Sequence, residues 1–535
     1  MTLRTRRHET QAAVPTLTHS AATLPSEATR DGLEHANKWA VLALAATSGF
    51  MTSLDSSIVN ISLPSIARTF GVPLNGSVEW VIIGYLLIIA ATLLTFGRLA
   101  DMIGRKPLLI GGLALFTFGS AICGLAPSLG LLVAARFVQG LGAALIFAVN
   151  IAMITTAFPA KERGRALGTN AIMVALGVSL GPTIGGIITS HLTWRWIFYV
   201  NVPIGVVTLV VAWFILTETL RRSNSRFDPA GAALLAVGLT GLILALSFGQ
   251  EWGWASWRVI GALIVGIGFL AGALILEQRV SDPILHLALL RNRVFAAAEA
   301  SFMFCMLALF AVGFLLPFYF EELKGFSPEQ AGLMLTPMSL ALAVVAPISG
   351  TLADRFRLSW LAPLGLGLAC LGLVLLGQLT VQSSPFDVIW RLLVTGIGQG
   401  LFQSPNTSML MGAAPAKAQG EASGILATGR VVAQGFSVAL AGAIFAASGA
   451  AAAGALLATH RHTLSPDQVQ TLQRTFTQGL HAALLACAAF AAIGIVTSLV
   501  RNAAGRPSSV STLAAPSARQ RPNRSATPAQ TGQTQ

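Results

Sequence analysis

Apolar residues in this chain fall in long, nearly unbroken windows separated by short polar turns. Windows long enough to cross a bilayer as helices, about 20 residues each, lie near 39–59, 79–97, 108–126, 131–157, 166–190, 196–217, 230–249, 259–277, 296–319, 330–352, 360–379, 386–413, 422–447 and 477–500. Fourteen transmembrane helices are therefore predicted. The windows far exceed the ~10 alternating residues of a barrel strand. Helices also pair their own backbone groups, as lipid requires. The expected fold is an all-α polytopic membrane protein.

The halves echo each other. Gly97-Arg98-Leu99-Ala100-Asp101-Met102-Ile103-Gly104-Arg105-Lys106 returns about 250 residues later as Gly350-Thr351-Leu352-Ala353-Asp354-Arg355-Phe356-Arg357. Arg136-Phe137-Val138-Gln139-Gly140-Leu141-Gly142 has a counterpart at Arg391 to Gly400. The first echo joins the second and tenth windows, eight helices apart, whereas a simple six-plus-six duplication separates them by six. Two extra helices are thus expected between the halves, near 228–280. The predicted organisation is a tail over 1–37, a six-helix bundle over 38–220, an inserted two-helix segment over 221–290, a second six-helix bundle over 291–501, and a tail over 502–535. Duplicated bundles of this kind describe a carrier that rocks one half against the other.

Basic residues orient the chain. Arg98, Arg105, Lys106, Lys161, Arg163, Arg165, Arg221, Arg222 and Arg226 head a set of loops richer in charge than the opposite set, which has Arg68, Arg195, Arg258, Lys324, Arg461 and Arg474. The first set and both tails are expected to be cytosolic. Neither tail has an apolar run, so both are expected to be disordered, with the first span serving as the targeting signal.

Composition narrows the function. At 54% hydrophobic and 10% charged, with a mean hydropathy of +0.71, the chain is too apolar for a soluble enzyme of its length. The net charge of +13 is spread over loops and tails, unlike a nucleic-acid surface. Cys123, Cys305, Cys370 and Cys487 lie in apolar segments with no metal-ligand or disulfide spacing. There is no Gly-rich phosphate loop, so neither ATP nor a cofactor is expected and energy must come from an ion gradient. His35, His191, His286, His460, His462 and His481 fall in loops or near helix ends, which argues against a histidine proton relay.

Charges inside apolar windows are the sharpest signal, because each costs roughly 2.5–3.5 kcal/mol to insert. Asp55 lies about sixteen residues into the first window, ~24 Å up the helix. It either handles a proton or cation, or makes a structural hydrogen bond to Ser56 or Asn60. Arg136 is its natural partner, because a guanidinium stays charged when buried. Arg391 sits near the start of its window, where an interfacial anchor is the alternative reading. Arg430 lies in the thirteenth window. Glu79, Glu299, Glu321 and Glu322 lie at window ends, and position alone favours solvated edge residues, with Glu79, Glu299 and Glu321 as secondary candidate acids. In the 97–106 segment, Gly97 and Gly104 permit a tight bend. Asp101 can face a helix N-terminus or Arg105 and Lys106, so that the segment and its partial copy at Asp354 form a latch holding the cytosolic side shut, the alternative being that Arg105 and Lys106 merely set topology. Gly177, Gly181, Gly185 and Gly186 make a smooth helix face for close packing, and Pro182 should bend that helix.

These motifs carry a resemblance. Gly97 to Lys106 and Arg136 to Gly142 resemble the loop and fourth-helix signatures of the major facilitator superfamily. Gly177-Val178-Ser179-Leu180-Gly181-Pro182-Thr183-Ile184-Gly185-Gly186 is similar to its antiporter signature. Leu54 to Pro64 and Trp194 to Gly205 resemble the fourteen-span drug:proton antiporter branch. The resemblance implies a proton-coupled exporter in a bacterial inner membrane, taking a small amphipathic organic substrate through a cavity between the bundles, with Asp55 as proton carrier and the 177–186 helix as hinge and proton seal. A nutrient symporter and a non-transporting membrane sensor or scaffold are the rival readings.

Overall fold

The computed structural model describes residues 37–72, 76–159, 162–216, 229–278, 287–356, 358, 360–414, 419–460 and 463–504. The expected tails at 1–36 and 505–535 lie outside the described residues, as do the side chains of Asp101 and Asp354.

A helix lies over every apolar window. The first six windows hold α1 (Lys38–Phe70), α2 (Gly76–Ile103), α3 (Arg105–Leu125), α4 (Leu129–Ala157), α5 (Arg163–His191) and the pair α6 (Trp196–Tyr199) and α7 (Asn201–Ile215). Then come α8 (Pro229–Trp252) and α9 (Trp257–Glu277), the short α10 (Leu287–Arg291), α11 (Arg293–Phe318), α12 (Pro328–Phe356), α13 (Leu361–Leu376), α14 (Pro385–Ala413), α15 (Gln419–Ala447), α16 (Ala450–His460) and α17 (Pro466–Ala504). Among the described residues, ten helices are long and apolar enough to cross a membrane and no strand occurs.

Local chemistry sets the ends. Asn37 accepts from the Trp39 N–H to cap α1, and Ser128 and Ser256 cap α4 and α9 in the same way. Gly71 closes α1 at φ +63°. The segment expected to be a 97–106 turn is mostly helix: α2 runs on through Ile103, and the chain reverses at Gly104 alone, at φ +98°. Gly97 meets nothing that would exclude a side chain, so the bend belongs to Gly104 and not to both glycines. The 350–357 echo is likewise helical to Phe356. Pro182 does not break α5. Pro317 precedes a π-helical turn over Tyr319–Leu323 that extends α11.

Packing divides the molecule. Helices α1 to α7 associate among themselves, with α1 on α5 and α4 on α2 and α3; α11 to α17 repeat the pattern, with α11 on α15 and α14 on α12 and α13. The halves meet chiefly along two seams, α5 on α12 and α2 on α15, and α1 also touches α11 and α12 between them. Helices α8 and α9 pair with each other, and α8 lies against both α2 and α15, bracing the second seam.

Candidate functional site: a buried acid and the seams between the halves

Asp55 is fully buried at the centre of the first half, one turn and a half before Asn60 on α1. Its Oδ2 accepts from Arg136 Nη1 at 2.7 Å. Its Oδ1 accepts from Gln139 Nε2 and from Asn201 Nδ2, both at 2.8 Å. Every recorded partner donates, the pattern that an ionised carboxylate satisfies. The alternative bonds to Ser56 and Asn60 are not made: the Ser56 hydroxyl donates to the Ser53 carbonyl, and Asn60 Oδ1 has no partner.

Arg136 is held as firmly. Nη1 also donates to Gln139 Oε1 at 2.6 Å, and Nε donates to the Val81 carbonyl at 2.8 Å. The guanidinium lies 4.1 Å over the Tyr85 ring and 5.7 Å from that of Phe198. Gln139 donates onward to Ser120 Oγ at 2.7 Å. One polar network thus ties α1, α2, α3, α4 and α7 inside an apolar bundle. Gln139 and Asn201 were not singled out in the sequence. The signal for Gln139 was its place one helical turn after Arg136; Asn201 arrives because the sixth window breaks at Val200, a break that apolar patterning does not record.

The secondary acids are not solvated edge residues. Glu79, Glu299, Glu321 and Glu322 are all buried, at 2%, 4%, 7% and 4% exposure. The reason is tertiary: each helix end is covered by a neighbour. Glu79 on α2 faces Gly442 of α15, Glu299 on α11 faces Gly429 of α15, and Glu322 faces Gly454 of α16, glycines that leave room for a carboxylate. Both Glu299 oxygens and Glu79 Oε2 lack hydrogen-bond partners. Arg430 lies on the Glu299 side of α15, 5.4 Å over the Phe302 ring. Arg391 pairs with Asp387 at 3.2 Å, one helical turn earlier on α14, while its Nε and Nη1 are buried without hydrogen-bond partners.

Hydrogen bonds between the halves gather at the end carrying the α1–α2 and α11–α12 turns. Arg68 of α1 pairs with Glu321 of the π turn. His191 pairs with Glu329 at 3.1 Å, Thr183 and Thr336 share a hydrogen bond of 2.6 Å, and Ser179 donates to the Ser339 carbonyl at 3.2 Å. Beside Arg68, an open depression of about 450 Å³ lined by Thr189, Ser190 and Ser327 marks where α1, α5 and α12 meet. The glycines of α5 serve two partners: Gly177, Gly181 and Gly185 press on α1, whereas Gly186 presses on Pro328 at the start of α12. At the opposite end, Arg105 donates to the Ala152 carbonyl at 2.7 Å and to Thr156, and Lys106 donates to the Trp213 carbonyl at 3.2 Å, all within the first half.

Comparison with known proteins supplies the class. The profile of the Major Facilitator Superfamily matches residues 45–438. A riboflavin transporter of Clostridioides difficile is 34% identical over 412 residues, 77% of this chain and 89% of that protein. A multidrug resistance protein of Mycobacterium tuberculosis is 36% identical over 439 residues, 81% of this chain and 80% of that protein. Among solved structures, a bacterial homologue of the human lysosomal transporter Spinster, inward-facing and unoccupied, superposes with a TM-score of 0.60 at 16% identity, covering 87% of this chain and 97% of that one.

Proposed function

This chain belongs to the major facilitator superfamily, and on that premise we propose that it exports amphipathic organic compounds across a bacterial inner membrane in exchange for protons. The observation that carries the reading is the Asp55–Arg136 pair, an acid and a base fully buried in a bundle that apolar side chains would otherwise fill. Such a pair is weak as a source of stability, because desolvation offsets its attraction. A coupling role accounts for its presence.

In this reading the chain crosses the membrane fourteen times with both termini in the cytosol, and the α1–α2 end is outside. The conformer is then sealed outward by the bonds across the α5–α12 seam. A proton reaching Asp55 removes the charge that Arg136, Gln139 and Asn201 hold in common. That loosens the junction of α1, α4 and α7 and frees Arg136 to interact elsewhere, while the α5 glycines let α1 slide without opening a leak. The relative named for multidrug resistance supports a substrate defined by apolar bulk more than by fixed hydrogen bonds.

The test is uptake into inverted vesicles carrying a cationic, a neutral and an anionic dye. Acidifying the lumen should drive accumulation of at least one, and an uncoupler should abolish it while ATP depletion at constant gradient does not. Accumulation that survives uncoupling when ATP is supplied would overturn the proton-coupled reading. The riboflavin-named relative favours a second reading, transport of one defined heteroaromatic solute. Riboflavin therefore belongs in the same assay, and its transport to the exclusion of the dyes would decide for that reading.

A further inference from the structure

We infer that Glu79 is a second proton-linked group, whose protonation is coupled to closure of the α2–α15 seam. The inference rests on the proton-exchange reading and concerns a residue outside the Asp55 network. Glu79 belongs to the first turn of α2, in the first half, yet the element that buries it is α15 of the second half. Gly442 of α15 lies so close that a Cβ there would run into the carboxylate. Oε2 has no hydrogen-bond partner. The next residue, Trp80, stacks on Phe248 of α8 at 5.9 Å and tilts against Phe137 of α4 at 6.4 Å, so the surroundings are aromatic and apolar.

Among the described residues no compensating charge reaches it. Arg136 of α4 is committed to Asp55 and the Val81 carbonyl. Arg430 of α15 is twelve residues from Gly442, about 18 Å along the helix. The Glu251 side chain of α8 lies outside the described residues. An ionised carboxylate in this seam would be desolvated and unpaired, whereas a protonated one would not carry that cost.

The geometry separates Glu79 from Asp55 in kind. Arg136, Gln139 and Asn201 belong to the same half as Asp55, so rigid-body rocking of the halves carries all four together. Glu79 keeps its apolar surroundings only while α2 and α15 touch. Rocking that parts them hydrates the carboxyl and favours its ionisation; ionisation in turn favours parting, because the coupling is reciprocal. Acid conditions therefore stabilise the closed outer end and alkaline conditions the open one. With Gly442 in place, the carboxylate fits the closed seam without displacing either helix.

The test needs no substrate. In the full-length protein with its four cysteines replaced by alanine, spin labels at Leu192→Cys and Ser465→Cys, one in each half, report the outer separation in lipid nanodiscs by pulsed EPR. The parent is expected to give a short distance at pH 5 and a longer population at pH 9. Glu79→Gln, neutral at both, should stay short at both, and so should Glu79→Met, which serves if the amide variant fails to fold. Gly442→Ala, which sets a methyl group against the carboxylate, should lengthen the distance already at pH 5. A Glu79→Gln protein that lengthens with pH as the parent does overturns the assignment, as does a parent whose distance ignores pH. If Glu79 fails in this way while pH-driven dye uptake persists, the exchange reading stands; if uptake also ignores the pH gradient, that reading has fallen with it.

Discussion

At the scale of single residues, the Asp55 network changes how its own mutagenesis must be done. Asp55→Asn removes the titratable proton but also leaves Arg136 buried without a counter-charge, and turns an amide N–H toward a site surrounded by donors. Breaking a buried pair from one side costs about 3–5 kcal/mol, so the single variant should lose thermal stability in detergent as well as pH-driven transport. Asp55→Asn combined with Arg136→Gln removes both charges and should regain most of that stability while transport stays absent. If the double variant, given an imposed pH gradient, drives substrate against its concentration gradient at parental rates, Asp55 is not the coupling acid. Asp55 and Arg136 were legible in the sequence because a charge inside an apolar window stands out against its cost. The glutamates were legible as acids but not as buried ones: a window end looks wet until the neighbouring helix that covers it is known, and Gly429, Gly442 and Gly454 lie far from them in the chain.

At the scale of elements, α5 shows what a glycine stripe specifies and what it leaves open. Spacing announced a smooth face; it did not say that the face serves two neighbours. Gly181 touches Ser57 and Ile58 of α1 within one half, while Gly332 of α12 touches the Pro182 carbonyl across the seam. The two positions should therefore fail differently. Gly181→Leu forces α1 and α5 apart inside a bundle, an overpacking worth at least the usual 1–3 kcal/mol or so, and should lower the melting temperature. Gly332→Leu wedges the halves apart and should spare the melting temperature while, on the proposed orientation, leaving the α1–α2 end accessible to a membrane-impermeant thiol reagent at Thr336→Cys. Equal effects of both on stability would reduce the stripe to ordinary packing. Apolar windows located the helices well but missed the helical continuation to Ile103, the π turn after Pro317 and the short α16, since these depend on hydrogen bonds and covering contacts that hydropathy does not carry.

At the scale of the whole molecule, the internal echo was the most legible feature, because duplicated motifs and arginines announce two related halves. How the halves touch was not legible, because a seam is made by residues that are individually unremarkable threonines, serines and glycines. The repeat predicts two extra helices between the halves; the fold adds that α8 lies against both α2 and α15. Any motion that parts that seam must then carry or release α8. The other seam offers the cleaner test of rocking. Thr183 and Thr336 face each other with hydroxyl oxygens 2.6 Å apart, so thiols placed at these two positions point at each other across the seam. Thr183→Cys with Thr336→Cys should cross-link on oxidation, arrest exchange in inverted vesicles, and recover on reduction, whereas either cysteine alone should transport in both redox states. Undiminished transport by a fully cross-linked protein would mean that the α5–α12 seam stays shut throughout the cycle. The moving boundary would then lie at α2 and α15, where Glu79 already sits.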